Sequence, residues 1–158
     1  MISLVVINRE IFSEKDIQSW CSRYRIQRII VFSNNINNNS VKKMSLKLHK
    51  PSDVKLNLIA DSNLEYFLKK ICFIDENLML IFDDAVTMSR IIKEMNYKEK
   101  VFINDFLLTN KTINPYYSNS EIIDAIKTLL ESNNNVIFKK NIYSSEVNVA
   151  RYLCEGVK

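Results

Sequence analysis

Glycine occurs once in this 158-residue chain, as Gly156 near the C-terminus. A Walker loop or a dinucleotide fingerprint needs several glycines, because only a residue without a side chain lets the backbone close on phosphate. Nucleotide sites of those two kinds are therefore excluded. Histidine also occurs once, as His49, which removes most nucleophile–histidine triads and any histidine-rich metal site. Cys21, Cys72 and Cys154 lie far apart and belong to no Cys-x-x-Cys or His–Cys cluster. Such a set reads as reduced, partly buried thiols and not as a zinc site. No metal and no cofactor is expected. No apolar run is long enough to cross a bilayer, and the N-terminus lacks the basic region and cleavage site of a signal peptide. A cytoplasmic location is the expectation.

What is present is ordinary for a globular protein: 47% hydrophobic and 25% charged residues, enough to build a sizeable core. The length fits one domain, residues 1–158. The net charge of +4 is mild. Lys42, Lys43, Lys47 and Lys50 form a local basic stretch without interleaved aromatics, so it reads as a solvated helix face and not as a nucleic-acid platform. Asn37–Asn39 and Asn133–Asn135 read as turns.

Strand and helix patterns alternate along the chain. Ile2–Ile7 is a continuous apolar run, as for a strand buried on both faces of a parallel sheet. A helix over Glu14–Tyr24 places Ile17, Trp20, Cys21 and Tyr24 on one face. Gln27–Ser33 is a second strand. A second helix carries Val41, Met44 and Leu48 on one side and ends at Pro51. Val54–Ala60 is strand three, and Ser62-Asn-Leu-Glu65 is a capping box for a helix with Leu64, Phe67, Leu68 and Ile71 on its face. Asn77–Phe82 is strand four. Asp83 or Asp84 caps a helix with the face Ala85, Met88, Ile92 and Met95. Lys100–Ile103 is a short strand. Ser118-Asn-Ser-Glu121 is another capping box, opening a helix that buries Ile122, Ile126 and Leu129. Val136–Lys139 is a late strand and Val147–Cys154 a short terminal helix. The alternation predicts an α/β fold, a mainly parallel sheet flanked by helices on both faces. Ligands of such sheets sit beyond the carboxyl ends of the strands. The relevant loops are 8–13, 33–39, 61–63, 83–84 and 104–117.

Residues 28–55 carry a resemblance. They read Arg-Ile-Ile-Val-Phe-Ser-Asn-Asn-Ile-Asn-Asn-Asn-Ser-Val-Lys-Lys, then a helix, then Pro51-Ser-Asp-Val-Lys55. This resembles, without a gap, the R-I-I-V-V-D-D-x-V-A-N-D-x-x-R-K and P-x-x-V-K segments of the mannose/fructose/sorbose-type IIB component of the bacterial sugar phosphotransferase system. Trp20 matches a tryptophan of that family's first helix, and a weaker likeness runs through residues 78–92 and the final helix–strand unit. The resemblance implies a sorbose-type IIB-like domain and a cytosolic phosphocarrier. It would take phosphoryl from a IIA phosphohistidine and deliver it to a sugar bound by membrane IIC and IID partners. No nucleic-acid partner is implied, and self-association as a homo-oligomer is left open.

The resemblance also locates the site, and the site departs from it. The family's acceptor lies in a motif like D-x-R-L-I-H-G-Q. Counting back from Trp20, the chain offers Asn8-Arg9-Glu10-Ile11-Phe12-Ser13-Glu14-Lys15. Ser13 thus stands at the phosphohistidine, Glu10 at the arginine, Glu14 at the glycine and Asn8 at the aspartate. The acidic pair after strand two is Ser33-Asn34, and the glycine pair after strand five is Asn104-Asp105, in a loop about two residues short. The candidate catalytic position is Ser13. The candidate binding residues are Arg9, Glu10, Lys15, Ser33, Asn34, Asn104 and Asp105.

The chemistry of these replacements opposes relay. A serine phosphate ester is a poor phosphoryl donor, and a neutral hydroxyl needs a base, whereas His49 lies in a region expected to form the second helix and not in this loop. Glu10, Glu14 and Asp16 would face the incoming dianion, and two like charges ~4 Å apart cost on the order of 4 kcal/mol at an effective dielectric of 20. Arg9 and Lys15 offset part of that. Ser13-Glu-Lys-Asp16 also reads as a plain helix N-cap with acids in the first turn. His49 reads as a surface residue at a helix C-terminus. Tyr116 and Tyr117 read as packing or as a partner-facing patch. Three functions follow: a degenerate IIB-like protein with a binding or regulatory role, an active divergent IIB phosphotransferase subunit in sugar uptake, or an unrelated small-ligand enzyme on a similar sheet. Whether the chain is an enzyme is open at this point.

Overall fold

The computed structural model describes residues 1–8, 14–104, 108–109, 112–113 and 119–151. Arg9, Glu10, Ser13, Asp105, Tyr116, Tyr117, Ser118 and Cys154 lie outside the described residues, as does the side chain of Lys15. The described elements are β1 (Ile2–Ile7), α1 (Glu14–Tyr24), β2 (Arg28–Phe32), a four-residue α2 (Asn34–Asn37), α3 (Ser40–His49), β3 (Lys55–Ile59), α4 (Leu64–Ile71), β4 (Leu78–Phe82), α5 (Ala85–Glu94), β5 (Val101–Ile103), β6 (Leu108–Thr109), β7 (Thr112–Ile113), α6 (Ser120–Glu131), β8 (Val136–Phe138) and β9 (Val147–Asn148). Seven strands form one sheet in the order β3-β2-β4-β1-β5-β8-β9, and β6 and β7 form a separate antiparallel pair. Parallel ladders join β2 to β3, β2 to β4, β1 to β5 and β5 to β8. The expected mainly parallel α/β architecture is the observed one.

The contacts divide the chain into two units, Met1–Val5 with Glu10–Asp83 and Val6–Arg9 with Asp84–Lys158. In the first unit, β2 and β4 are central and almost wholly buried, whereas edge strand β3 buries only Ile59. The connections from β1 to β2 and from β2 to β3 run one way across the sheet, and the return from β3 to β4 runs the other. Right-handed crossovers therefore put α1 and α3 on one face and α4 on the opposite one. Trp20 of α1 is fully buried and stacks on Tyr24 with ring centres 5.7 Å apart. In the second unit, α5 and α6 pack on each other and bury Met88, Ile91, Ile92, Ile122, Ile126 and Leu129.

The scarcity of glycine shows at the helix ends. α1, α5 and α6 each close with paired backbone bonds that turn the chain through a left-handed residue. At α1, Ile26 N–H donates to Cys21 C=O at 2.9 Å and Arg25 N–H to Ser22 C=O at 3.4 Å. The left-handed residues are Arg25, Asn96 and Asn133, with φ of 53°, 53° and 67°. Asparagine tolerates that region, while arginine there costs on the order of 1 kcal/mol.

The structure revises or completes four readings. Val147–Asn148, read as the start of a helix, pairs antiparallel with β8, and helical backbone begins only at Ala150. Ser62 caps nothing: it sits in a 3₁₀ turn, Asp61–Asn63, and α4 starts without a side-chain cap. The cap of α6 is Asn119, whose Oδ1 accepts from Glu121 N–H at 2.9 Å. The strip Val41, Met44 and Leu48 of α3 faces solvent, and Leu46 is that helix's buried residue.

Candidate functional site at the strand carboxyl ends

In the first unit the sheet register builds the site. Phe32 of β2 is paired with Phe82 of β4 and with Ile59 of β3. The two phenyl rings stack with centres 4.6 Å apart, and Phe67 of α4 meets Phe32 edge-on at 6.1 Å. The residues that follow this aromatic floor come side by side. Ser33, 5% exposed, donates its N–H to Ile59 C=O at 3.1 Å. Its hydroxyl donates to Asp83 Oδ2 at 2.5 Å and accepts Ile36 N–H at 3.1 Å, so one oxygen caps α2 and ties the loop after β2 to the loop after β4. Asn34 ties the loop after β2 to the loop after β3. Its Nδ2 donates to Asp61 Oδ2 at 2.8 Å, and its Oδ1 accepts Asp61 N–H at 3.0 Å. This two-bond clasp supplies Asp61 N–H with a side-chain partner.

In the second unit, Asp84 is the cap of α5, accepting from Val86 N–H at 3.3 Å, Thr87 N–H at 3.0 Å and Thr87 Oγ1 at 2.6 Å. Asn8 and Asn104 follow β1 and β5 and are 9% and 7% exposed. Asn104 N–H donates to Ile7 C=O at 3.2 Å. Its Oδ1 has no hydrogen-bond partner among the described residues.

In the first unit the carboxyl ends thus carry Asp61 and Asp83 with amides and a hydroxyl, and among the described residues of those turns none is cationic. In the second unit Lys139 follows β8, its N–H donating to Ile103 C=O at 3.0 Å. His49 is at the far end of α3, about 13.5 Å along the helix from its first residue at 1.5 Å per residue. Its Nδ1 lies 3.2 Å from Ser45 Oγ. Of the candidate binding residues, the structure brings Ser33 and Asn34 together in the first unit and places Asn104 at the end of β5 in the second. Sequence reasoning missed Asp61 and Asp83 as their partners. The signal that could have found them is positional: a carboxylate directly after each of two parallel strands.

The family model described as the PTS system sorbose subfamily IIB component matches residues 2–155. A search of curated proteins finds no match. Among solved structures, the IIBSor domain of the sorbose permease from Klebsiella pneumoniae is similar with a TM-score of 0.83 at 15% identity, covering 98% of this chain and 97% of that one. The N-acetylgalactosamine-specific IIB component 1 from Escherichia coli gives 0.76 at 10% identity, over 92% and 97%. The manxB protein from Thermoanaerobacter tengcongensis gives 0.74 at 19% identity, over 95% and 93%. At these identities the structural likeness speaks for the fold, and the match along the chain speaks for descent. The chain belongs to the sorbose-subfamily IIB components of the sugar phosphotransferase system.

Proposed function

We propose that this protein is a IIB component that has lost phosphoryl relay and acts in the cytoplasm as a binding or regulatory protein. IIB components of this family work with IIA and membrane IIC/IID partners, and in this reading the chain keeps surfaces for them. The observation that carries the proposal is the use made of Ser33 and Asn34. They occupy the place of the family's acidic pair, and their side chains are committed to Asp83 and Asp61. The described turns after β2 and β3, with Asp83 after β4, are acidic or neutral. They give a phosphoryl group no described cation in the first unit, whereas phosphate recognition relies on charge-assisted bonds from arginine, lysine or backbone N–H groups. Ser13 at the acceptor position, with Glu10 and Glu14 beside it in sequence, points the same way.

Incubation of the chain with phosphorylated IIA is expected to leave Ser13 and His49 unlabelled. Ser13→His alone should still react poorly, because Glu10 and Glu14 repel the dianion. Adding Glu10→Arg and Glu14→Gly should raise acceptance. If the unaltered chain takes up label and passes it to a sugar in the presence of the membrane partners, it is an active divergent IIB subunit and this proposal fails.

A further inference from the structure

Helix α3 wears its apolar strip on the side away from the core. Val41, Met44 and Leu48, at i, i+3 and i+7, are 76%, 58% and 70% exposed, while Leu46 on the opposite side is buried. Around the strip the charge has one sign. From Ile17 to Ser52 the chain has seven Lys and Arg and no Asp or Glu. The rest of the chain holds the other 15 of its 22 cations against all 18 acids, so the whole positive excess belongs to this stretch. The structure brings the two longer helices of the stretch, α1 and α3, together on one face of the sheet. α1 packs beside α3, and Gln18 Nε2 donates to His49 C=O at 3.5 Å. The exposed positions of the stretch include Arg23, Arg25, Lys42 and Lys47. Asp16 and Asp53 flank it in sequence.

We propose that the α3 face seats this protein peripherally on an anionic phospholipid bilayer. Val41, Met44 and Leu48 would enter the boundary between headgroups and acyl chains, and Lys42, Lys43 and Lys47 would extend to lipid phosphates. An apolar strip combined with lysines supplies the two signals that reversible membrane binding needs, and lysine stems reach past apolar surface to place their charge at the interface. Charge disfavours a second copy of the chain, which would set the cationic α3 face of one copy against that of the other. Shape disfavours a folded protein partner: stable protein interfaces bury about 800 Å² on each side, and this strip is three side chains on a convex ridge. Lipids conform to a ridge without a matching groove. The inference is independent of phosphoryl relay.

The test is sedimentation of the full chain with vesicles of phosphatidylcholine alone or mixed with phosphatidylglycerol. The bound fraction should rise several-fold when phosphatidylglycerol is present and fall as salt is added. Met44→Gln with Leu48→Gln, and separately Lys42→Glu with Lys47→Glu, should each return it to the phosphatidylcholine level without moving the thermal melt, since all four side chains are exposed. Leu48→Trp gives a second reading: a blue shift of its emission with the anionic vesicles is expected. The proposal is overturned if the wild-type chain binds neither vesicle, or if the charge-reversed variant binds as well as wild type. It also fails if the chain forms a dimer that the Met44→Gln, Leu48→Gln pair dissolves, or if only membranes containing IIC and IID proteins capture it.

Discussion

Helices α3 and α5 are both ten residues long, and both carry apolar residues at helical spacing. α5 buries Ala85, Met88, Ile91 and Ile92, whereas α3 buries Leu46 and turns Val41, Met44 and Leu48 outward. The periodic apolar strip is a sound signal for a helix in both cases. It names the core-facing side only in α5. A helix over the interior of a sheet has apolar surface beneath it along its whole length. α3 leads into edge strand β3, where there is less sheet to cover, and one leucine with the stems of half-buried neighbours suffices. The two helices are held differently as a result. α5 is held by its face, and α3 by its ends: Asn39 Oδ1 accepts Lys42 N–H at 3.1 Å, the last turn is basic, and Pro51 follows.

The comparison breaks most readily by truncating each face. Ile92→Ala in α5 should cost about 2–5 kcal/mol, as for a leucine-sized side chain removed from a packed core. Leu48→Ala in α3 should stay within about 0.5 kcal/mol. Urea denaturation of both variants checks this, and equal losses would mean that α3 is a core helix after all. A second pair concerns the ends. Asp84→Ala and Asn39→Ala should each cost about 1 kcal/mol. For α3, then, the loss of its cap should exceed the loss of Leu48, and the reverse ranking would refute the account of how α3 is held.

Arg25→Gly sharpens the picture at the end of α1. Relief of the left-handed arginine should stabilise the protein by about 0.5–1 kcal/mol, visible as a higher Tm. A lower Tm would show that the Arg25 side chain contributes more than its backbone costs. The smallest effect is expected from acid. Hydrogen bonds from Arg28 at 2.5 Å and Lys55 at 2.5 Å hold the Glu76 carboxyl down from 4.5 to about 2. A depressed carboxylate stabilises the fold above its unfolded value, and that contribution drains away as pH falls from about 4.5 towards 2. α3 contains no carboxylate and contributes nothing to this slope. Glu76→Gln should therefore flatten stability between those pH values, measured by melts across the range. An unchanged slope would place the acid sensitivity elsewhere.

Much of the fold was legible along the chain. The bounds of β1 and α1 coincide with the apolar run Ile2–Ile7 and the face of Ile17, Trp20, Cys21 and Tyr24, because burial on both sides of a parallel sheet and on one side of a helix leaves different periods in a sequence. The site was legible in part. Ser33 and Asn34 stood out by position, but not their partners. Asp83 and Asp84 were equivalent as caps on local grounds, since either could reach the first turn of α5. The register of β2 against β4 separates them: Phe32 opposite Phe82 sets Ser33 beside Asp83, which leaves Asp84 to take the N–H groups of Val86 and Thr87. Ser62 had every local credential for a capping box, yet it lies inside the Asp61–Asn63 3₁₀ turn, whose first residue is clasped by Asn34, 27 residues away.

The sequence by itself determined, for most of the chain, which segments are strands and which are helices, and it determined the family. Those depend on neighbours within a turn or two, or on residue identity alone. Only the tertiary structure decided which aspartate meets Ser33, which side of α3 meets water, and that Val147–Asn148 is a strand. Each of these depends on groups far apart in the chain. Strand register and the limited area of a sheet edge bring them together or keep them apart, and neither leaves a local trace.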